Sequence, residues 1–236
     1  MKVFVILPIL KHPVYEEITL KELARVASKD TEIHVESLEK GPASIESAYD
    51  EALAVPGILE LVKKAESQGF DAAIIDCMGD PGLEAAREIV KIPVVGPCQA
   101  SMALASTIAS RFSVVTILRN VVPLFHDLAL KYGVRDKVAS VRTIEVPVLD
   151  LEKRWNEVKR ALEEQGRAAI EQDGAEAIIL GCTGMIGMAE ELQKALGVPV
   201  VDPAPAALMV AEALVRLGLT QSRLKYPTPP EKTRVT

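Results

Sequence analysis

Short apolar runs alternate along the chain with longer segments whose apolar residues recur every three or four positions. Val3–Leu7, Ala72–Ile75, Pro93–Val95, Phe112–Leu118, Ala177–Leu180 and Val198–Val201 have the length and β-branched content of buried strands. Glu32–Ser37 alternates as a half-buried strand does, and Val138–Ile144 is a further strand. Helical spacing marks Tyr15–Ser28, Asp50–Gln68, Leu83–Val90, Ala100–Ser110, Val122–Lys131, Leu151–Gln172, Met185–Leu196 and Ala206–Leu217. Gly69 suits a helix C-terminus, and Pro123 falls in a first turn, where a missing N–H costs nothing. This alternation predicts an α/β protein with mostly parallel sheets. The tail from Gln221, with Pro227, Pro229, Pro230 and four basic residues, is predicted to be extended or loosely docked.

The pattern also repeats. Gly69-Phe-Asp-Ala-Ala-Ile-Ile-Asp-Cys77-Met-Gly79 matches Gly174-Ala-Glu-Ala-Ile-Ile-Leu-Gly-Cys182-Thr-Gly184, with the same spacing between the two cysteines as between the two glycines. Further on, Ile92-Pro-Val-Val-Gly96-Pro97 matches Val198-Pro-Val-Val-Asp202-Pro203 with one residue of slip, and an Ala-rich helix follows each. Two halves of this kind predict two pseudo-symmetric lobes, each a mostly parallel sheet flanked by helices, with a ligand crevice between them. Residues 1–97 with 207–236 are assigned to one lobe and 98–206 to the other.

Cys77 and Cys182 each follow a buried strand directly and stand two residues before a glycine. At such strand-to-helix turns a helix N-terminus favours thiolate, and the glycine lets backbone N–H groups approach a developing oxyanion. Two thiols on opposite sides of a small molecule suit one reaction. One removes a proton from a carbon beside a carbonyl, and the other returns a proton on the opposite face. The result is inversion without cofactor or metal. The competing structural reading is that a cysteine after a strand is a small buried hydrophobe, and Cys98, whose repeat counterpart is Ala204, fits that description.

Composition narrows the function classes. The chain has 236 residues and a formal net charge of −6, and aromatic residues make up 4%. An acidic, aromatic-poor chain of this size argues for a globular domain with a sizeable core and against nucleic-acid binding. Three cysteines rule out a fully paired disulfide framework and point to a reducing compartment. The apolar start runs into Pro8 without a cleavage site, and the uncharged Ile92–Ser110 contains Pro93, Gly96 and Pro97. Neither reads as a signal peptide or a membrane span, so the expectation is a cytoplasmic protein with no membrane partner.

Several motifs together resemble the aspartate/glutamate/hydantoin racemase superfamily, within it the hydantoin racemase branch that includes allantoin racemases. They are Gly41-Pro-Ala-Ser44-Ile-Glu-Ser47 with Tyr49-Asp-Glu51 and Ala54-Val-Pro-Gly57, then Cys77-Met-Gly-Asp-Pro-Gly-Leu83, Phe112-Ser-Val-Val-Thr116, Val146-Pro-Val-Leu-Asp-Leu151 and Gly181-Cys-Thr-Gly-Met185. The resemblance covers about Gly41 to Leu217. It implies cofactor-independent racemisation at a carbon α to a carbonyl, with Cys77 and Cys182 as the acid/base pair, and homo-oligomers. Around that pair, the residues expected to contact substrate are Ile9, Ser44, Met78, Gly79, Thr116, Thr183, Gly184 and Met185. The chain departs from the family's Asn-Pro-Asn-like first loop, with Leu7-Pro-Ile-Leu-Lys11 in its place, so this wall is more apolar. It also has Thr183 where the hydantoin branch commonly has Ala. No clear set of groups for an ammonium and a carboxylate is visible, which favours a neutral cyclic ureide (a 5-substituted hydantoin or allantoin) over a free amino acid.

Other residues have simpler readings. Asp80-Pro81-Gly82 is expected to start a helix with Asp80 as N-cap, and Asp76 to raise the neighbouring thiol's pKa by like-charge repulsion. Ser44, Glu46 and Ser47 fit either ligand contact or helix capping. His12, His34 and His126 lack metal-ligand spacing, and no dinucleotide fingerprint or P-loop is present, so no cofactor is expected. The charged Glu152–Glu164 stretch reads as a solvated helix face. The alternatives left open are an amino-acid racemase, a related isomerase or decarboxylase, a two-lobed binding protein without turnover, and a thiol-redox protein.

Overall fold

The computed structural model describes residues 1–234. Its first half runs β1 (Lys2–Leu10), α1 (Pro13–Val26), β2 (Glu32–Leu38), α2 (Ala48–Ser67), β3 (Ala72–Ile75), α3 (Leu83–Ile89) and β4 (Val94–Val95). The second half runs α4 (Pro97–Ile108), β5 (Phe112–Thr116), α5 (Val122–Lys131), β6 (Val138–Thr143), α6 (Trp155–Asp173), β7 (Ala177–Leu180), α7 (Ala189–Leu196), β8 (Val200–Val201) and α8 (Pro203–Arg216). The strands form two all-parallel sheets, ordered β2-β1-β3-β4 and β6-β5-β7-β8. The orders are the same when each half is numbered from its own first strand. The sequence repeat is therefore a repeat of topology, and the α/β fold with two lobes, each a parallel sheet flanked by helices, is the one present.

The chain divides into two compact units. The first contains Met1–Asp76, Asp80–Gly96 and the chain from Ala207 onward; the second contains Pro97–Ala206 together with the three residues Cys77–Gly79. In the first unit, Val3–Leu7 of β1 is buried throughout, as befits a strand with neighbours on both edges and helices on its faces. Ala54, Ile58, Val62 and Ala65 give α2 its buried stripe, which packs on β1 and β3. Ile58 and Val62, both fully buried, each contribute about 1.5–3 kcal/mol. In the second unit, Val158, Leu162 and Ala169 form the equivalent stripe on α6, whose other positions are mostly charged or polar.

Local structure departs from the sequence expectations in four places. β1 continues past Leu7 to Leu10: the register shifts between Leu7 and Leu10, and Leu10 N–H donates to the Pro42 carbonyl at 2.8 Å. Pro8, which has no N–H, sits within the irregular stretch. Asp80 is not a helix N-cap; Gly82, left-handed at φ +68, precedes α3. The helix expected from Met185 is a 3₁₀ turn at Thr183–Met185, then a break at left-handed Gly187, then α7. The tail is docked rather than loose. Gln221 Nε2 donates to the Val90 and Ile92 carbonyls at 3.0 and 2.9 Å, and Arg223 donates to the carbonyls of Arg87 and Val90. Tyr226 is buried beside the Arg87 guanidinium. Its last two residues, Val235 and Thr236, lie outside the described residues.

Candidate active site

In a parallel sheet of this order the chain leaves the first strand toward one side and returns on the other. Loops after the first and third strands therefore diverge at their carboxyl ends and leave room for a ligand. In the first unit these are the ends of β1 and β3, hence Ile9 and the turn at Cys77. In the second they are the ends of β5 and β7, hence Thr116 and the turn at Cys182.

The two cysteine turns are built alike. One residue past β3, Asp76 N–H donates to the Ile6 carbonyl at 2.8 Å; one residue past β7, Gly181 N–H donates to the Val115 carbonyl at 2.8 Å. Each bond extends the sheet ladder by one residue and releases the chain at the cysteine. Cys77 and Cys182 are both half-buried, while Cys98 is fully buried in α4 with its sulfur 4.0 Å from the Met102 sulfur. Gly79 N–H donates to Cys77 Sγ at 3.5 Å. A donor there strengthens its bond as the sulfur gains negative charge. Gly184 holds the corresponding place beside Cys182: a β-carbon on it would lie 3.5 Å from that sulfur and 3.0 Å from Leu151 Cδ1.

Cysteines on a matched pair of turns need not belong to one unit, but these do. The chain leaves the first unit at Asp76, gives Cys77–Gly79 to the second, and resumes the first at Asp80. Met78 is buried in the hydrophobic core of the second unit, against which Cys182 also packs. Both half-buried cysteines therefore belong to the same compact unit. Sequence patterning, which places Cys77 at the end of a first-unit strand, gives no sign of this step.

The other expected contact residues fall into two groups. Ile9, Ser44, Gly79, Thr183 and Gly184 are half-buried. Met78, Met185 and Thr116 are buried, and Thr116 Oγ1 donates to the Gly181 carbonyl at 3.0 Å. Ser47 caps α2, accepting from Asp50 N–H at 3.2 Å and donating to the Asp50 carboxylate at 2.7 Å. Glu46 contributes its N–H to the same carboxylate. Sequence reasoning assigns no role to Asp202, yet its carboxylate accepts from Gly187 N–H at 2.8 Å and ties down the Cys182 turn. The signal was the one change of chemical type, Gly96 against Asp202, in an otherwise closely matched pair of segments. Among the described residues no three His, Cys, Asp or Glu side chains gather to hold a metal ion. Nor is any helix of the described residues long and apolar enough to cross a membrane.

Comparison with known proteins gives the family and the fold. The family model described as Asp/Glu/Hydantoin racemase matches residues 14–211. A hydantoin racemase of Pseudomonas sp. (strain NS671) is 48% identical over 206 residues, 87% of this chain and 83% of the relative. One from Paenarthrobacter aurescens is 40% identical over 88% of this chain and 89% of its own. Among solved structures, an allantoin racemase from Klebsiella pneumoniae superposes with a TM-score of 0.95 at 36% identity, covering 100% of this chain and 96% of that one. A glutamate racemase from Francisella tularensis, at 18% identity and a TM-score of 0.65 over 94% of this chain and 83% of its own, shares the fold. The chain belongs to the Asp/Glu/hydantoin racemase family and is an isomerase of the racemase type.

Proposed function

We propose that the protein racemises 5-substituted hydantoins or allantoin by a two-cysteine, cofactor-independent mechanism. The observation that carries this reading is the placement of Cys77 and Cys182 in one compact unit, on matched turns at the ends of matched strands. The similarity to hydantoin racemases supports the substrate class. In the forward direction one sulfur, as thiolate, takes the proton from the ring carbon between the amide nitrogen and the carbonyl. The electron pair left on carbon delocalises onto the carbonyl oxygen as an enolate. The second sulfur, as thiol, delivers its proton to the opposite face of the same carbon, and the first is left protonated. No net charge or electron is consumed, and the reverse reaction exchanges the two roles. Thiols suit this because their ordinary pKa lies nearer neutrality than that of serine or lysine.

The chain's own residues divide the remaining work. Met78, Met185 and Thr116 have side chains that water does not reach, so they contribute to the site through backbone and packing. Ile9 presents an apolar side chain where an amide would read a polar group, which suits an apolar 5-substituent. Ser44 and Thr183 are half-buried hydroxyls within the motifs that, unlike Ser47, do not cap α2, and they are assigned to the ureide's polar edge. We also assign a cytoplasmic, reducing setting, because oxidation of either thiol removes a proton carrier, and a homo-oligomeric state.

A substrate panel tests the reading. Single enantiomers of 5-alkyl and 5-arylalkyl hydantoins, allantoin, aspartate and glutamate are followed by polarimetry, and an arylmalonate by carbon dioxide release. Loss of optical rotation with a cyclic ureide and inactivity toward the amino acids is the expected outcome. Turnover of an amino acid or the malonate with inert ureides assigns the site to another reaction of the family. A ureide that raises the melting temperature without losing its rotation identifies a binding protein instead.

A further inference from the structure

Each cysteine turn meets the following strand-to-helix junction at a carboxylate, which comes from the junction in the second half and from the turn in the first. In the second half Asp202 follows β8 and opens α8, where its carbonyl accepts from Ala206 N–H at 3.1 Å. Its side chain reaches back to the cysteine turn and accepts from Gly187 N–H at 2.8 Å, five residues beyond Cys182. In the first half the position that matches Asp202 is Gly96, between β4 and α4, and it has no side chain to offer. There the carboxylate comes from the turn itself. Asp80, three residues beyond Cys77, is only 6% exposed. A β-carbon on Gly96 would lie 2.4 Å from its Cγ and Oδ1 and 2.7 Å from its Oδ2. Each junction thus brings one carboxylate close to one glycine, Asp80 of the turn to Gly96 in the first half and Asp202 to Gly187 of the turn in the second.

Asp80 also has φ +48, a left-handed conformation that costs a non-glycine residue about 1 kcal/mol or more. A buried, strained carboxylate persists only where its surroundings fix it. It is moreover the first residue of the first unit after the three-residue excursion of Cys77–Gly79. The matching left-handed glycines, Gly82 and Gly187, make both turns soft unless something else holds them.

We propose that Asp80 and Asp202 are positioning residues for the two thiols, each fixing the turn that carries its own cysteine, and that the two halves reach the same end by exchanging the side from which the carboxylate comes. The proposal rests on the reading of Cys77 and Cys182 as the acid/base pair. Proton transfer demands a sulfur held near its target atom, and a misplacement of about 1 Å costs on the order of a hundredfold in rate.

The exchange itself supplies the test. Asp80→Gly, Gly96→Asp and the double variant D80G/G96D are compared with the wild type for hydantoin racemisation. Alkylation rates of Cys77 and Cys182 by iodoacetamide are measured against pH, each peptide resolved by mass. Asp80→Gly is expected to lower kcat about tenfold or more with KM changed less than about threefold, and to shift the Cys77 alkylation profile while leaving that of Cys182 in place. Gly96→Asp alone is expected to fall as far, because its β-carbon collides with Asp80. The double variant, with its carboxylate on the side that Asp202 uses, is expected to recover to within about threefold of wild type. A double variant no better than either single one overturns the proposal, as does an Asp80→Gly protein with the wild-type kcat and Cys77 profile.

Asp202 provides a second arm if the first set fails to fold. Asp202→Asn keeps an acceptor oxygen for Gly187 and is expected to stay within about threefold of wild type, whereas Asp202→Ala loses kcat and shifts only the Cys182 profile. Equal behaviour of those two variants overturns the role of Asp202. Alkylation needs no turnover, so a failure of the acid/base reading, seen as an active Cys77→Ser or Cys182→Ser enzyme, is distinguishable from a failure of the positioning role.

Discussion

Gly181 precedes the second candidate catalytic cysteine, and adding a single methyl group there should displace it. Gly181 is not in the left-handed region, so alanine meets no backbone penalty and the effect is purely one of space. The new β-carbon would lie 2.5 Å from Thr116 Cβ, 2.7 Å from Thr116 Cα and 2.9 Å from Thr116 Oγ1. Carbon atoms rest at about 3.5–4.0 Å, so the ends of β5 and β7 must separate by about 1 Å. The obstructing atoms are backbone or bonded directly to it and cannot swing away. Overpacking of this kind costs about 1–3 kcal/mol, and loosening the bond from Thr116 to the Gly181 carbonyl adds about 1 kcal/mol. The total of about 2–4 kcal/mol corresponds to a melting temperature lower by roughly 5–15 °C. A 1 Å shift of Cys182 should also lower kcat on the order of a hundredfold. Urea denaturation and polarimetric racemisation of Gly181→Ala measure the two effects. Thr116→Val, which removes the hydroxyl but keeps the shape, should cost only about 1 kcal/mol and leave most of the activity. A Gly181→Ala protein with wild-type stability and rate would refute the claim that the β5–β7 contact sets the position of Cys182.

Other consequences are testable with the native protein or single variants. Under native conditions iodoacetamide should label the half-buried Cys77 and Cys182, while Cys98 should react only after unfolding; early labelling of Cys98 would place it outside the core. Glu212 is buried and accepts from Ser28 N–H at 2.9 Å and from Thr31 Oγ1 at 2.6 Å, so Glu212→Ala should cost about 3 kcal/mol by urea denaturation. Burial pushes its carboxyl up, but the bonds from Ser28 and Thr31 outweigh burial and hold it below the usual range. Its contribution is therefore full above the ordinary carboxylate value of about 4.3 and lost as pH falls through the depressed folded value. The stability gap between wild type and Glu212→Ala should accordingly close on acidification, and a gap that widens there contradicts the assignment. Tyr226→Ala removes the buried ring that holds the tail against Arg87 and should lower stability by about 2 kcal/mol; an unchanged melting temperature would show the tail to be loosely attached after all.

The sequence was most legible where local pattern and tertiary environment agree. Ala72–Ile75 and Ala177–Leu180 are strands at the expected bounds because four apolar residues between turn signals have no use except in a central strand. Val122–Lys131 is likewise the expected helix, begun by a proline and ended near a glycine. The parallel sheets follow from the alternation, and the shared strand order of the two units follows from the repeat. What was illegible depends on distant partners or on backbone conformation. Asp80 is the residue type of an N-cap, but its carboxylate packs against Gly96, sixteen residues on, and Gly82 takes over the helix start. Gly187 looks like any glycine in a helical stretch until its left-handed conformation breaks the helix after Cys182. The tail binds carbonyls more than a hundred residues earlier, which no local pattern encodes. The passage of Cys77–Gly79 into the second unit, with Met78 in its core, is a property of the fold and not of the segment.

The central claim is that Cys77 and Cys182 are the two proton carriers of one racemisation. It is tested most directly by incubating a single enantiomer of a 5-substituted hydantoin in D₂O with wild type, Cys77→Ser and Cys182→Ser, following optical rotation by polarimetry and deuterium at the ring carbon by mass spectrometry. Background exchange without enzyme is subtracted. Wild type should lose rotation and introduce one deuterium as it inverts the centre, and each serine variant should lose racemisation by at least about a hundredfold while keeping a near-native melting temperature. Racemisation at the wild-type rate in either folded variant would contradict the two-thiol mechanism.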